Sequence, residues 1–360
     1  MKIGVPRETK DHEFRVSLTP YGAKALVKAG HEVFVEKGAG HAIGCSDDDY
    51  ENAGAKLVDA KSAFSMELVL KVKEPQPAEC LLLKPGTILF GYLHLASSPA
   101  LADELMKAGV AAVGYETVTD EKGGLPLLAP MSQIAGRLAV QEGSIGLTMP
   151  KGGCGLLLSG TNGVPPAKIM VLGAGMVGAN AARLAHAMGG DVTVFDIRPD
   201  ALFPLEHAGI KTCYSNPDSV EARLLESDIV VCATLIPGSH APKMISRKMV
   251  KEMKRGSVIV DVSIDQGGSS ETSRPTTHSN PFYVEEGVVH YCVTNMPALV
   301  SKTATLSLTH ATLPSILEIA NLGLDAALEA DEGLKGGLQI REGRIVHPAV
   351  LEALRNASGI

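Results

Sequence analysis

The sequence predicts an α/β protein built as two doubly wound domains with a cleft between them, the first domain discontinuous. Three observations carry that reading. Short apolar runs of strand length alternate with helical stretches, the pattern of a parallel sheet, in which a strand can lie beside its predecessor only after a crossover. The 360 residues exceed what one ordinary core accommodates and point to about two domains. A helical tail from about Ser301 follows the last strand-like run and is suited to crossing back onto the first domain. The expected boundaries are 1–130 with 305–360 for one domain and 131–304 for the other.

Taken in order, the first domain offers the runs KIGVP, HEVFVE, LVLKVK, TILFGYLHL and VAAVGYE, spaced by helical stretches such as PYGAKALVKAG and PALADELMKAG. A helix over Gln133–Gly143 and a loose glycine-rich segment, PKGGCGLLLSGTNGVPP, then deliver the chain to an apolar strand over Lys168–Leu172. That strand runs into Gly173-Ala174-Gly175-Met176-Val177-Gly178 and an alanine-rich helix. The order is that of a dinucleotide-binding turn. Gly173 permits the tight turn, Gly175 lets the backbone approach a pyrophosphate, Gly178 lets helix and strand pack closely, and the helix N-terminus supplies N–H groups for the phosphates. A second strand over Asp191–Phe195 ends in Asp196, 23 residues after Gly173 (196 − 173), close to the spacing that sets a carboxylate on a ribose 2′-hydroxyl. Both domains are therefore expected to be Rossmann-like, with NAD preferred over NADP in the second. Arg198, two residues beyond Asp196, is read as a solvated surface arginine. The runs IKTCYS, DIVVCAT, SVIVDVS and VVHYCVT continue the second sheet, which is expected to be the fuller of the two, and the tail reads as helix rather than more sheet.

Composition narrows the classes of partner. A net charge of −7 with no long basic run argues against nucleic acid, whose phosphates demand clustered Lys and Arg. The six cysteines are scattered without a CxxC pair and read as reduced core thiols; no Cys/His spacing suits a metal, so none is expected. The opening MKIGVPRETK enters a strand directly, and no window approaches the roughly 18–20 apolar residues of a membrane span, so no membrane association and a cytoplasmic location are expected.

In open parallel sheets ligands bind beyond the carboxyl ends of the strands. Arg15 follows the first strand and its loop, Lys73 ends LVLKVK, His94 ends TILFGYLH, Asp265 follows SVIVDVS, and Asn295 and Met296 follow VVHYCVT. Each has a plain structural reading: Arg15 at the surface, Lys73 snorkelling at a strand edge, His94 a satisfied core histidine, Asp265 turn chemistry, Met296 packing. Their joint placement at strand ends lifts them above it. A hydride-transfer site for a small acid needs cations for a carboxylate, met by Arg15 and Lys73, and a proton-transfer group, met by His94, with Asp265 as a second acid or base.

These segments together make the chain similar to the L-alanine dehydrogenase family over essentially its whole length. The resemblance rests on GVPRETKDHEFRVSLTP (4–20), LKVKEP (70–75), GYLHLA (91–96), APMSQIAGRLA (129–139), VLGAGMVG (171–178), VDVSIDQGG (260–268), SRPTTH (273–278) and VTNMPALVSKTAT (293–305). It implies reversible oxidative deamination of L-alanine to pyruvate and ammonia with NAD, in a homohexamer. It also implies roles: Arg15 and Lys73 for substrate binding; His94 and Asp265 for catalysis; and Ser132, Gly173, Ala174, Gly175, Met176, Val177, Gly178, Asp196, Asn295 and Met296 for the cofactor. The α subunit of proton-translocating transhydrogenase shares the second domain and the domain order, but would require a membrane component. A non-catalytic NAD-binding sensor would leave Arg15, Lys73, His94 and Asp265 idle, and a saccharopine-type dehydrogenase would need a larger pocket than these segments suggest.

Overall fold

The structure, a computed structural model, describes residues 1–234 and 241–358. In chain order its strands are β1 (Lys2–Val5), β2 (Glu32–Glu36), β3 (Lys56–Val58), β4 (Leu68–Leu70), β5 (Ile88–Gly91), β6 (Ala111–Gly114), β7 (Lys168–Leu172), β8 (Asp191–Asp196), β9 (Lys211–Tyr214), β10 (Ile229–Cys232), β11 (Val258–Asp261), β12 (Phe282–Glu285), β13 (Val288–Tyr291), β14 (Leu338–Arg341) and β15 (Arg344–Ile345). The chain forms two compact units, Met1–Met131 with Val300–Ile360, and Ser132–Leu299.

In the first unit the sheet runs β15-β14-β6-β5-β4-β1-β2-β3, parallel from β6 to β3, with β14 antiparallel to β6. The central strands LVL, ILFG and AAVG are buried throughout, as strands covered on both faces must be. Beneath them Phe64, Leu89, Leu93, Leu105 and Ile340 share one apolar cluster. The chain leaves β1 for β2 on one side and comes back to β4 on the other, so the carboxyl ends of β1 and β4 flank a switch point, where α/β sheets open a crevice.

The second unit repeats the plan. Its order is β12-β13-β11-β10-β7-β8-β9, with β12 antiparallel to β13 and the other pairs parallel, and its switch point lies between β7 and β10. Counted within each unit, both sheets place their six parallel strands in the order 3-2-1-4-5-6. The expectation of a fuller second sheet is therefore corrected: among the described residues the first has eight strands and the second seven. What the sequence concealed was the two antiparallel additions. Each lies in a hairpin closed by a Glu-Gly pair, Glu286-Gly287 (φ +52° and +80°) and Glu342-Gly343 (φ +50° and +69°), the doubly positive φ that a tight two-residue hairpin demands. The tail does form a long helix, Ser301–Leu322, but sheet follows it, because Leu338 and Ile340 pair with β6.

The cysteine expectation holds for three positions. Cys80, Cys232 and Cys292 are buried, Cys45 and Cys213 are half-buried and Cys154 is exposed, all as free thiols. No helix among the described residues is long and apolar enough to cross a membrane, and no group of His, Cys, Asp and Glu among them could hold a metal ion.

Candidate active site

In the first unit, the residues beyond the strand ends form one connected arrangement. Arg15 lies on the loop after β1 and is only 2% exposed, so it is no surface arginine. Its guanidinium is gripped by Glu13, with Nε donating to Oε1 at 2.6 Å and Nη2 to Oε2 at 2.5 Å, while Nη1 meets Met131 Sδ at 3.1 Å. A two-pronged pair of this kind fixes the guanidinium plane as well as its charge. Lys73 follows β4, and its Nζ lies 3.4 Å from His94 Nε2 and 6.0 Å from the centre of the Tyr92 ring. His94 follows β5, is exposed rather than a core histidine, and stacks on Tyr92 with centroids 6.0 Å apart at 11°. Burial pushes the Tyr92 phenol above its ordinary range, opposed by the Arg15 guanidinium, so Arg15, Tyr92, Lys73 and His94 share one neighbourhood.

Beneath Lys73 lies a network that the sequence reading missed. Lys71, fully buried, pairs with Glu8 at 3.1 Å and Glu79 at 3.2 Å, and burial of its ammonium is outweighed by those two carboxylates, which hold its proton more tightly than usual. Glu8 also accepts the Val72 N–H at 2.6 Å and the Lys73 N–H at 3.4 Å, and Thr9 Oγ1 donates to Glu79 at 2.8 Å. The loop after β1 is thus tied to the backbone that carries Lys73. The available signal was a lysine inside an otherwise apolar strand end, LVLKVK, since a buried ammonium demands acidic partners elsewhere.

In the second unit the glycines divide their work by geometry. Gly173 takes φ +97°, and a Cβ there would sit 2.5 Å from the Ala233 carbonyl oxygen. At Gly178 a Cβ would lie 1.8 Å from the Gly173 carbonyl oxygen, whereas at Gly175 it would meet nothing within 4 Å. The helix Met176–Ala187 has Gly175 as N-cap and no side-chain cap, so the N–H groups of its first turn, those of Met176 and Val177 among them, have no capping side chain, the arrangement suited to phosphate oxygens, whereas buried Ala174 gives its N–H to Asp196. Ser132 lies on the helix Ala129–Gly146, which packs on this turn so closely that a Cβ on Gly136 would be 2.1 Å from the Val177 carbonyl oxygen. Asp196 at the end of β8 accepts the Ala174 N–H at 2.7 Å and, through its other oxygen, the Arg198 N–H at 2.9 Å and Nε at 3.3 Å. Burial raises its carboxyl, but these donors outweigh burial and hold it below the ordinary aspartate range. Arg198 is therefore a partner of Asp196 rather than a purely solvated arginine.

Asp265 is exposed on the turn Val262–Gln266. That turn hangs from Asp261, a fully buried carboxylate missed in the sequence reading, which accepts N–H groups of Ser263, Ser269 and Ser270 and the Ser273 hydroxyl. Asn295 has a left-handed backbone, φ +60°, and its carbonyl lies 3.3 Å from His278 Nε2; Met296 is buried, in keeping with packing. Of the non-glycine residues with positive φ, Glu286 and Glu342 are hairpin turns, whereas His12, His94 and Asn295 lie on loops beyond β1, β5 and β13. Strain of that kind is retained where neighbours impose it, commonly at functional sites.

The alanine dehydrogenase/PNT N-terminal domain matches residues 4–135 and its C-terminal domain residues 139–348. The chain belongs to the alanine dehydrogenase/PNT family. It is 50% identical to the alanine dehydrogenase of Halomonas elongata over 98% of this chain and 96% of that one, and 47% identical to that of Bacillus subtilis over 98% and 95%. A solved L-alanine dehydrogenase superposes with a TM-score of 0.95 at 47% identity, covering 99% of both chains. A transhydrogenase from Sinorhizobium meliloti superposes with a TM-score of 0.84 at 25% identity, covering 97% of this chain and all of that one.

Proposed function

We propose that this chain is an NAD-dependent L-alanine dehydrogenase, catalysing the reversible oxidative deamination of L-alanine to pyruvate and ammonia. The observation that carries the reading is the Lys73–His94 pair beyond adjacent strands, with Arg15 fixed nearby by Glu13. In this proposal residues 1–130 with 305–360 bind the substrate and residues 131–304 bind NAD. The second unit fits the cofactor because Gly175 leaves open space at an uncapped helix N-terminus, beside the carboxylate of Asp196. Ser132, the fingerprint residues Gly173–Gly178, Asp196, Asn295 and Met296 would hold it; when bound, it accepts the hydride from the alanine Cα.

The chain's own residues do the rest. The Arg15 side of Nη1 and the Lys73 ammonium take the substrate carboxylate, while Glu13 keeps the guanidinium from turning. His94 removes the proton from the water that adds to the imine carbon and returns one to the departing ammonia; Asp265 is the second acid–base group. The transhydrogenase reading is less favoured, since identity to it is about half that to the alanine dehydrogenases. The chain is further proposed to act in the cytoplasm as a homohexamer; support for both comes from the family resemblance, and light scattering of the purified protein tests the assembly. The deciding experiment is absorbance of NADH on mixing the protein with NAD and L-alanine, beside a control with NADP. Turnover with NAD well above that with NADP is expected. Binding of NADH without turnover would leave a sensor and overturn the proposal.

A further inference from the structure

His94 has φ +49° and ψ +35°, a left-handed backbone that a side chain larger than glycine adopts only when its surroundings hold it there. A carboxylate holds its amide side. Glu116, just past the end of β6, accepts the His94 N–H on Oε1 at 2.9 Å and the Leu93 N–H on Oε2 at 3.2 Å. Two successive N–H groups drawn to one carboxylate bend the chain at the residue that carries the imidazole.

The carboxylate is itself steered from the far end of the chain. Gln339 on β14, fully buried, donates from Nε2 to Glu116 Oε1 at 3.0 Å and to Thr117 Oγ1 at 3.2 Å. A flipped amide would aim its carbonyl at the carboxylate, so only this orientation is compatible with the pair. The Gln339 Oε1 atom is buried with no hydrogen-bond partner among the described residues, so the side-chain bonds the amide makes among them are the two that Nε2 gives to Glu116 and Thr117. The sheet makes room for it at Gly114, where a Cβ would lie 2.0 Å from Gln339 Nε2. A leucine or methionine would pack β14 against β6 at lower polar cost, so a buried glutamine there calls for a reason.

We infer that Glu116 and Gln339 are positioning residues for His94. They hold its backbone in the left-handed turn that lays the imidazole on Tyr92 and sets Nε2 beside Lys73. The inference rests on the reading of His94 as the acid–base group. It also gives the late hairpin a task at the active-site loop.

The test is a double-mutant cycle in the full-length enzyme, read by steady-state reductive amination of pyruvate and by NADH fluorescence. Glu116→Ala is expected to lower kcat by about 10²-fold, the scale of a misplaced catalytic group, with NADH affinity unchanged. The same substitution added to His94→Ala is expected to produce no further loss, because its effect passes through the imidazole. Glu116→Gln, whose amide oxygen can still accept one N–H, is expected to recover part of the rate. If Glu116→Ala does not fold, Gln339→Leu carries the same cycle, with a smaller loss that also vanishes in the His94→Ala background. Wild-type kcat in both Glu116→Ala and Gln339→Leu, or equal losses with and without His94, would overturn the inference alone. Near wild-type turnover by His94→Ala would instead remove the reading on which it rests.

Discussion

The two units share a strand order and part company at the first loop. In the second unit the chain passes from β7 through Gly173 and Ala174 to a helix whose N-cap, Gly175, offers no side chain. In the first, residues 6–19 separate β1 from the helix Pro20–Lys28, whose N-terminus is already closed: Thr19 Oγ1 accepts the Gly22 N–H at 3.3 Å and Pro20 removes a donor. One sheet thus presents unsatisfied N–H groups where a phosphate can sit, and the other presents cations fixed by buried carboxylates. In the proposed reading, topology sets the place of each ligand site, and the first βα connection sets much of the contrast in chemistry between the two.

The largest effect expected from breaking this contrast lies at Arg15. Removing the guanidinium with Arg15→Met takes from buried Glu13 the two-pronged pair that Arg15 gives it, which should cost about 3–5 kcal/mol of stability. Arg15→Lys keeps a charge but loses the planar fork, and should leave a folded enzyme with a raised KM for pyruvate and unchanged NADH binding. Thermal unfolding and pyruvate kinetics on the two variants check this. A wild-type pyruvate KM in Arg15→Lys would remove Arg15 from the carboxylate site.

On the other side of the comparison, two alanine substitutions three residues apart should fail differently. Gly178→Ala drives a Cβ against the Gly173 carbonyl, a backbone atom that cannot swing aside, and should cost about 1–3 kcal/mol of stability. Gly175→Ala meets no atom and occurs at φ −67°, so its unfolding temperature should match the wild type while NADH binds more weakly. Unchanged NADH affinity in Gly175→Ala would show that the open space there is not where the pyrophosphate lies.

How much of this was legible beforehand follows from how local each signal is. The glycine turn, Asp196 and the parallel strands announce themselves within a few residues, since strand, turn and helix are sequence neighbours. Lys73 and His94 were found by a rule of placement, the carboxyl ends of strands, and the structure puts them 3.4 Å apart. What stayed hidden is non-local. Glu8 reaches Lys71 and Val72 across more than sixty positions of chain, and Gln339 reaches Glu116 across 223. No periodicity reveals such pairs. The hairpin β14–β15 is an intermediate case: REGR between LQI and IVH carries the Glu-Gly signal, yet runs of two to four residues are too short for alternation to declare a strand.

The smallest effect tests whether the first unit's helix start is only structural. Thr19 is buried, and its capping bond to Gly22 is long at 3.3 Å. Thr19→Ala should therefore sit near the lower end of the usual range for a lost cap, about 0.5–1 kcal/mol. Because that bond serves the first turn of one helix, the loss should surface as faster hydrogen exchange at the Gly22 amide. Exposing that N–H should create no phosphate site, since Pro20 still removes a donor. NADH affinity and pyruvate KM should match the wild type. A changed pyruvate KM would mean that the helix start is coupled to Arg15, four positions earlier, and the division between a structural cap here and a ligand-facing one at Gly175 would have to be redrawn.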